Sequence, residues 1–172
     1  MKALIIGANG FLGTHLKERL KESGWGVTSV DYIIADDGTR SLDYTGLDAA
    51  QADYDNVFLI AAHIPYAAGD ESSAKLVEMN IALPLRTVKK FDASTIIFSS
   101  SISVYGAQAS VITEESSISN PGAYGISKLA GELIVRSADS YRIIRYSSLY
   151  GRGMYKGTFL PRIIKDAKEK KE

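Results

Sequence analysis

The chain has 172 residues, 45% of them hydrophobic, which suits one compact domain with a substantial core and is too short for two full domains. Its 20 basic and 20 acidic residues cancel, so nothing in the composition indicates a nucleic acid or an anionic membrane as partner. Because the sequence has no cysteine, disulfides, thiolate catalysis and zinc–thiolate sites are excluded, and we predict no metal site.

The first apolar run, Ala3 to Ile6, is too short for the apolar region of a signal peptide and is followed at once by Gly7. We therefore expect a soluble, cytoplasmic protein. Further along, short apolar runs alternate with longer amphipathic stretches, which is the pattern of βαβ units that form a parallel sheet. The predicted fold class is α/β, a doubly wound parallel sheet of the Rossmann type.

Six strands are predicted: Ala3–Ile6, Gly26–Val30, a weak one near Ser41–Leu42, Asn56–Ala61, Thr95–Ser99 and Arg142–Tyr146. Several are almost wholly apolar, so we expect a sheet covered on both faces. The predicted helices are Phe11–Glu22, Leu47–Ala52, Glu71–Phe91, Ala123–Ser137 and Thr158–Lys170. Pro84 should kink the third helix or lie in a break within it. The longest loop should run from Gly106 to Gly122.

A glycine-rich turn, Gly7 to Gly13, joins the first predicted strand to the first predicted helix. Glycines allow a tight turn and close approach of a pyrophosphate, and the free N–H groups of the helix N-terminus bind its phosphates. An ordinary turn with three glycines is the alternative. Asp31 favours the dinucleotide site, because it ends the next strand, where a carboxylate can bind the adenosine ribose. No Arg or Lys follows in Tyr32 to Ile34, so we predict NAD and not NADP.

Tyr124 and Lys128 lie one helical turn apart. A free tyrosine has a pKa of about 10, and a nearby ammonium favours the phenolate, which makes the side chain a better proton shuttle. The alternative is that the two side chains simply pack together on the helix surface. The serines from Ser99 onward follow the fifth strand, at the edge where ligands bind in open α/β sheets, although they could also merely cap the turn.

Taken together, these motifs resemble those of extended short-chain dehydrogenases/reductases, in the nucleotide-sugar epimerase/dehydratase branch. The segments that carry the resemblance occur in the family's order and span nearly the whole chain: Gly7–Gly13, Ile60–Ala62, Asn80, Phe98–Gly106, Tyr124–Lys128 and Arg145–Gly151. Three residues depart from the family pattern: Leu59 stands where many members have His, Ser148 where they have Asn, and Arg152 where they have Pro.

The resemblance implies roles that spacing alone does not assign. Ser101 would hydrogen-bond the reacting hydroxyl or keto oxygen, Tyr124 would take its proton, and Lys128 would also hold the nicotinamide ribose. Asp43 would meet the adenine amino group. The other residues that the resemblance places at the NAD cofactor are Asn9, Gly10, Phe11 and Leu12 in the turn, with Tyr44, Ala61, Ala62, Asn80, Ser99 and Tyr146.

The residues after Ser101 favour one reaction of the family. Its dehydratases place an Asp-Glu pair there, whereas this chain has Ile102 and Ser103, which cannot replace two carboxylates in removing water. The resemblance therefore favours 4-epimerisation of a nucleotide sugar, with a reductase or dehydratase as alternatives. A non-catalytic dinucleotide sensor or scaffold is the rival of a different class.

The resemblance also sets expectations for domains and partners. Residues 1–172 would form the NAD-binding domain, in which residues 151–172 begin a substrate-binding lobe that is largely absent. The chain alone should then bind NAD and show little epimerase activity. Family members usually form homodimers through two helices per subunit, which here would be Glu71–Phe91 and Ala123–Ser137.

Overall fold

The computed structural model describes residues 1–34, 40–65, 72–107, 111–155 and 159–169. Five parallel strands form the main sheet: β1 (Lys2–Ile6), β2 (Gly26–Val30), β5 (Asn56–Leu59), β6 (Thr95–Ser101) and β7 (Tyr141–Tyr146), in the order β2-β1-β5-β6-β7. The predicted α/β fold class is confirmed. β6 extends past its predicted end at Ser99 to include Ser101, and β5 stops before Ile60.

The weak third strand was predicted at the right place in the sequence, but it does not join the parallel sheet. β4 (Arg40–Leu42) exists, but it pairs antiparallel with β3 (Tyr32–Ile34) in a separate two-stranded sheet. Short strands close in sequence form a hairpin more readily than a strand addition that needs a crossover. The predicted six-stranded parallel sheet therefore has five strands among the described residues.

The helices are α1 (Phe11–Glu22), α2 (Tyr44–Ala49), α3 (Ser73–Val77), α4 (Leu83–Lys90), α5 (Ala123–Val135) and α6 (Phe159–Glu169). α1 has its predicted bounds. α2 begins earlier than predicted because Asp43 caps it, its Oδ1 accepting the Gly46 N–H at 2.8 Å. The predicted helix ends Glu71, Thr158 and Lys170 lie outside the described residues.

The third predicted helix is interrupted, as Pro84 indicated. A π-helical turn, Glu78–Ala82, separates α3 from α4, and Pro84 lies in the first turn of α4. Proline has no N–H to donate to the carbonyl of Asn80 four residues earlier, and a π turn accommodates that missing bond. Gly131 of α5 packs against this carbonyl, since a Cβ at Gly131 would lie 2.6 Å from the oxygen of Asn80.

One face of the sheet is well covered and the other is not. The main core lies between β1, β5 and β6 and the helices α4 and α5, and includes Leu59, Leu83 and Phe98. On the opposite face α1 covers Ala3 and Ile5 of β1. Beyond α1, a hollow of about 170 Å³ is lined by Leu12, Leu16, Phe58, Ile60, Ile97, Ser99, Ile144 and Tyr146. The expected cover of both faces is therefore incomplete in the described part of the chain, where Leu160, Ile163 and Ile164 of α6 are also exposed.

The strand order places one crevice at the carboxyl edge of the sheet. The chain moves outward in one direction from β1 to β2 and in the other from β5 through β6 to β7. β1 and β5 are neighbours at the point of reversal, where open α/β sheets bind their ligands. The turn after β1 and the segment after β5 form the two sides of this crevice.

Candidate functional site

The glycine-rich turn is built so that side chains would not fit. Gly7 has φ of +98°, and a Cβ there would lie 2.6 Å from the backbone nitrogen of Ala61, just past β5. A Cβ at Gly13 would lie 2.1 Å from the carbonyl oxygen of Gly7. The small residue Ala61, which the resemblance places at the cofactor, is itself buried. The two sides of the crevice thus meet through backbone atoms.

The N-terminus of α1 opens directly from this turn. Gly10 is its N-cap, and among the described residues no side chain caps it. Because the first N–H groups of a helix have no partner within the helix, those of Phe11, Leu12 and Gly13 remain donors for an anion. A narrow glycine cradle that ends in free N–H donors fits a pyrophosphate.

The carboxylate of Asp31 lies beside the same turn. It accepts hydrogen bonds from the backbone N–H of Asn9 and, at 2.6 Å, from that of Tyr32. The Asn9 side chain in turn accepts a hydrogen bond from Lys17 of α1 at 3.1 Å. Asp31 is therefore held beside the glycine-rich turn, and its contact with the ribose of a dinucleotide stays a prediction.

Asp43 lies behind Asp31, since its backbone N–H donates to the Asp31 carbonyl at 2.8 Å. The carboxylate of Asp43 caps α2, a function that the sequence did not predict for it. Its contact with an adenine, and the backbone contact of Tyr44, stay predictions. Ala62 is half-buried and follows Ala61 in the segment after β5.

Asn80, in the π turn, joins the crevice to α5. Its Oδ1 accepts the His63 N–H at 2.9 Å, and its Nδ2 donates to the His63 carbonyl at 3.0 Å and to Ser127 Oγ at 2.9 Å. Ser127 Oγ donates to the carbonyl of Tyr124 at 2.7 Å. The fully buried Asn80 thus fixes the backbone after β5 against the helix that carries Tyr124. Its direct contact with a cofactor stays a prediction.

The serine segment and the first turn of α5 are packed together. Ser101, at the end of β6, accepts the Ser103 N–H at 3.1 Å and donates to Ser103 Oγ at 3.0 Å, which starts a 3₁₀ turn over Ile102–Tyr105. A Cβ at Gly125 would lie 2.2 Å from the Ser103 carbonyl. Gly125 therefore lets Tyr124, its neighbour in sequence, approach the end of β6 that carries Ser101.

Lys128, one turn beyond Tyr124, is only 1% exposed. Its Nζ lies 4.1 Å from the centre of the Phe98 ring. Burial lowers the pKa of Lys128 to about 7, and the negative charge of Glu132 opposes that shift. At neutral pH the side chain is therefore close to its titration midpoint.

Glu132 and Arg145 form a buried ion pair that our reading of the sequence missed. Arg145 donates from Nε to Oε1 of Glu132 at 2.8 Å and from Nη2 to Oε2 at 2.6 Å, while Ser100 Oγ donates to Oε1 at 2.6 Å. Arg145 also donates to the Tyr105 hydroxyl at 2.7 Å. The sequence did contain one indication of a role for Glu132. It follows Lys128 by four residues and so lies on the same face of the helix.

Ser99 and Tyr146 lie on the less covered face of the sheet, where both line the hollow beside α1. Tyr146 is paired in register with Ser101, and burial raises the pKa of its phenol. Loop residues after β7 return to α1, because the Arg152 carbonyl lies 2.9 Å from Nε2 of His15. The structure thus brings Ser99 and Tyr146 close to α1.

Two kinds of feature are not found in the described ranges. They hold no group of three or more His, Asp or Glu side chains arranged for a metal ion. Nor does any of the helices in these ranges have the length and apolar character needed to span a membrane.

Comparison with known proteins identifies the family of this chain. Residues 3–172 match the NAD dependent epimerase/dehydratase family. A UDP-glucose 4-epimerase of Bacillus subtilis is 27% identical over 88% of this chain, and the match covers 53% of that protein. The chain thus spans about half the length of this curated relative.

Solved structures have the same fold. MoeE5 in complex with UDP-glucose and NAD is 25% identical, with a TM-score of 0.79 over 96% of this chain and 60% of its own. A UDP-glucuronic acid 4-epimerase from Bacillus cereus in complex with NAD has a TM-score of 0.77 over 98% of this chain and 63% of its own, at 24% identity. The sequence match and the glycine cradle agree, and the chain belongs to the NAD-dependent epimerase/dehydratase family, whose cofactor is NAD.

Proposed function

We propose that this chain is the NAD-binding part of a nucleotide-sugar 4-epimerase in which Tyr124 is the acid and base. The observation that carries the proposal is the packing of α5 on the end of β6 at Gly125, which brings the turn of Tyr124 and Lys128 to the strand end of Ser101. The first turn of α5 and the end of β6 lie beside the crevice whose other side is the glycine-rich turn. A proton shuttle next to a dinucleotide site suits an alcohol–ketone interconversion.

In the proposed reaction, NAD, when bound, would supply the hydride-transfer chemistry at C4 of the sugar. Tyr124 takes the proton of the C4 hydroxyl and gives it back to the keto oxygen. Ser101 donates a hydrogen bond to that oxygen, and Lys128 stabilises the phenolate through its charge. The N–H groups at the start of α1 and the carboxylate of Asp31 hold the pyrophosphate and the adenosine ribose.

Two features favour epimerisation over dehydration. Ile102 and Ser103 follow Ser101 and are exposed, so no carboxylate stands at either position to remove water from the sugar. The Bacillus subtilis and Bacillus cereus relatives are 4-epimerases by name. The substrate lobe is part of the proposal: residues 151–172 begin it, and residues 1–172 alone should show little turnover of a nucleotide hexose.

Replacing Asp31 by alanine tests the NAD site. Loss of a charged acceptor for the ribose hydroxyls should weaken binding roughly 10- to 100-fold, the usual size of a hydrogen bond to a charged group. The measurement is a fluorescence titration with NADH. Asp53→Ala is the control, because Asp53 is an exposed carboxylate that pairs with Lys2, at the start of β1, and its loss should leave affinity unchanged. Equal NADH affinity of Asp31→Ala and the unaltered chain would reject this site.

A homodimer is also proposed, through α5 and the segment from α3 to α4. These helices pack side by side and expose large apolar side chains, among them Ile126 at 56% and Leu133 at 64% on α5 and Val77 at 52% on α3. Large apolar side chains exposed on helices that pack together fit a helix-to-helix interface.

Leu133→Glu should therefore convert the dimer into a monomer in sedimentation experiments at micromolar concentration. The matched control is Ile118→Glu, because Ile118 is 46% exposed in the loop before α5 and lies outside the proposed interface. A monomeric unaltered chain would contradict the dimer.

A further inference from the structure

We propose that Glu132 is a positioning residue of the site: Arg145 holds its buried carboxylate one helical turn from Lys128, where the negative charge stabilises the Lys128 ammonium. This inference rests on the proposed function, because it concerns the lysine that assists Tyr124 and binds the nicotinamide ribose. It adds two residues to which the proposed reaction assigned no role.

The burial of Lys128 creates the need for such a charge. An ammonium removed from water is costly unless an anion or several acceptors accompany it. The Phe98 ring, 4.1 Å from Nζ, offers the attraction of its π face, which is less than the cost of burying a charge. Glu132 is fully buried one turn further along the same helix, and its charge raises the pKa of Lys128 against the effect of burial.

Glu132 stays ionised because its partners are well placed. Burial raises the pKa of its carboxyl, but hydrogen bonds from Arg145 and Ser100 outweigh burial and hold that pKa below its usual value. The Arg145 guanidinium binds both carboxylate oxygens in the bidentate geometry that makes such pairs strong. Arg145 is itself fixed by the Tyr105 hydroxyl.

The hydrogen bonds of Glu132 to Ser100 and Arg145 join three elements of the proposed site. Glu132 is on α5 with Tyr124 and Lys128, Ser100 precedes Ser101 on β6, and Arg145 precedes Tyr146 on β7. One carboxylate therefore fixes the helix of Tyr124 and Lys128 against the strand ends that complete the site.

Other charged groups around α5 lie further out. On the helices packed against it, Lys75, Glu78, Arg86 and Lys89 are exposed, where solvent screens them. The titratable groups on the inner side are Tyr124 on α5 itself, Tyr105 on the 3₁₀ turn and Arg145 on β7. In the described part of the chain, the one carboxylate that lies among these inner groups is that of Glu132, on α5 itself.

The test is the pH dependence of NADH binding by the 172-residue chain, measured by fluorescence titration from pH 6 to 9. Binding that needs the Lys128 ammonium is complete below the pKa of Lys128 and is lost as pH rises through it. For the unaltered chain the loss should centre near pH 7. In the Glu132→Gln variant, the midpoint of this loss of NADH binding should move to lower pH. A shift of one unit reduces the charged fraction at pH 7 from about half to about a tenth, so affinity there should fall about fivefold.

Three further variants make the result specific. Lys128→Met should remove the pH dependence and so assign it to Lys128. Ser100→Ala removes one hydrogen bond to the same carboxylate and no charge. Because Arg145 still binds both oxygens and keeps Glu132 ionised, this variant should have a lower melting temperature and the pH profile of the unaltered chain. If Glu132→Gln does not fold, Glu132→Gln with Arg145→Met replaces it, because no guanidinium is then left buried without its partner.

An unshifted profile in the folded Glu132 variant, or an unchanged profile in Lys128→Met, would overturn the inference and leave the proposed function standing. Failure of the unaltered chain to bind NADH at any pH would instead overturn the proposed function.

Discussion

Gly13→Ala is expected to abolish NAD binding and to destabilise the chain. The added Cβ would lie 2.1 Å from the Gly7 carbonyl oxygen and 2.8 Å from the Cα of Ala8, and both are backbone atoms that cannot rotate away. Relieving this overlap requires the helix to move away from the turn, at a cost of about 2 to 4 kcal/mol in the free energy of unfolding. Urea denaturation and NADH titration measure the two effects.

Gly10→Ala is the matched control. A Cβ at Gly10 would lie 3.5 Å from the same carbonyl oxygen, which is ordinary van der Waals contact. Stability should therefore stay within about 1 kcal/mol, since Gly10 is an N-cap and alanine caps slightly less well. If both variants unfold at the same urea concentration as the unaltered chain, the close packing of turn and helix is not what maintains this site.

Tyr124→Phe is expected to reduce turnover of a nucleotide hexose by a factor of about 10² to 10⁴, the usual contribution of a general acid or base. Affinity for NADH should not change, because phenylalanine keeps the ring and removes only the proton-transferring hydroxyl. Turnover is measured in a protein that combines this domain with a sugar-binding lobe, and NADH affinity in the 172-residue chain.

Tyr141→Phe serves as its control. Tyr141 begins β7, at the opposite end of the strand from the crevice, and packs near Arg136. It should therefore have no effect on turnover. The experiment also separates an enzyme from a sensor or scaffold: if the Tyr124 variant keeps full biological activity, the chain binds its dinucleotide for a purpose other than catalysis.

The first half of the fold was predictable because its local signals are strong. Phe11–Glu22 has the predicted bounds, since Gly10 caps the helix and Gly24, with φ of +78°, follows its end. The glycine cradle and Asp31 were likewise predictable from their positions after two strands. By contrast, no local signal shows whether Tyr32–Ile34 pairs with the main sheet or with Arg40–Leu42, because that choice depends on tertiary contacts.

The site was less predictable where residues far apart in sequence meet. The resemblance to the family placed Asn80 at the cofactor, but its hydrogen bonds to His63 and Ser127 join segments that are 17 and 47 residues away in sequence. The sequence shows a glutamate in the apolar helix α5, but it does not show that its partner is Arg145, which lies on β7. Only the folded arrangement shows that this carboxylate is buried and paired.

The backbone hydrogen bonds to the Asp31 carboxylate have a thermodynamic consequence. Two backbone N–H groups already fix its carboxylate, so a bound ribose would not have to immobilise a freely rotating side chain. Ordering such a side chain on binding costs about 0.5 to 1.5 kcal/mol, and a preorganised acceptor avoids that cost. In calorimetric terms, a ribose bound at Asp31 would cause only a small loss of conformational entropy in this side chain.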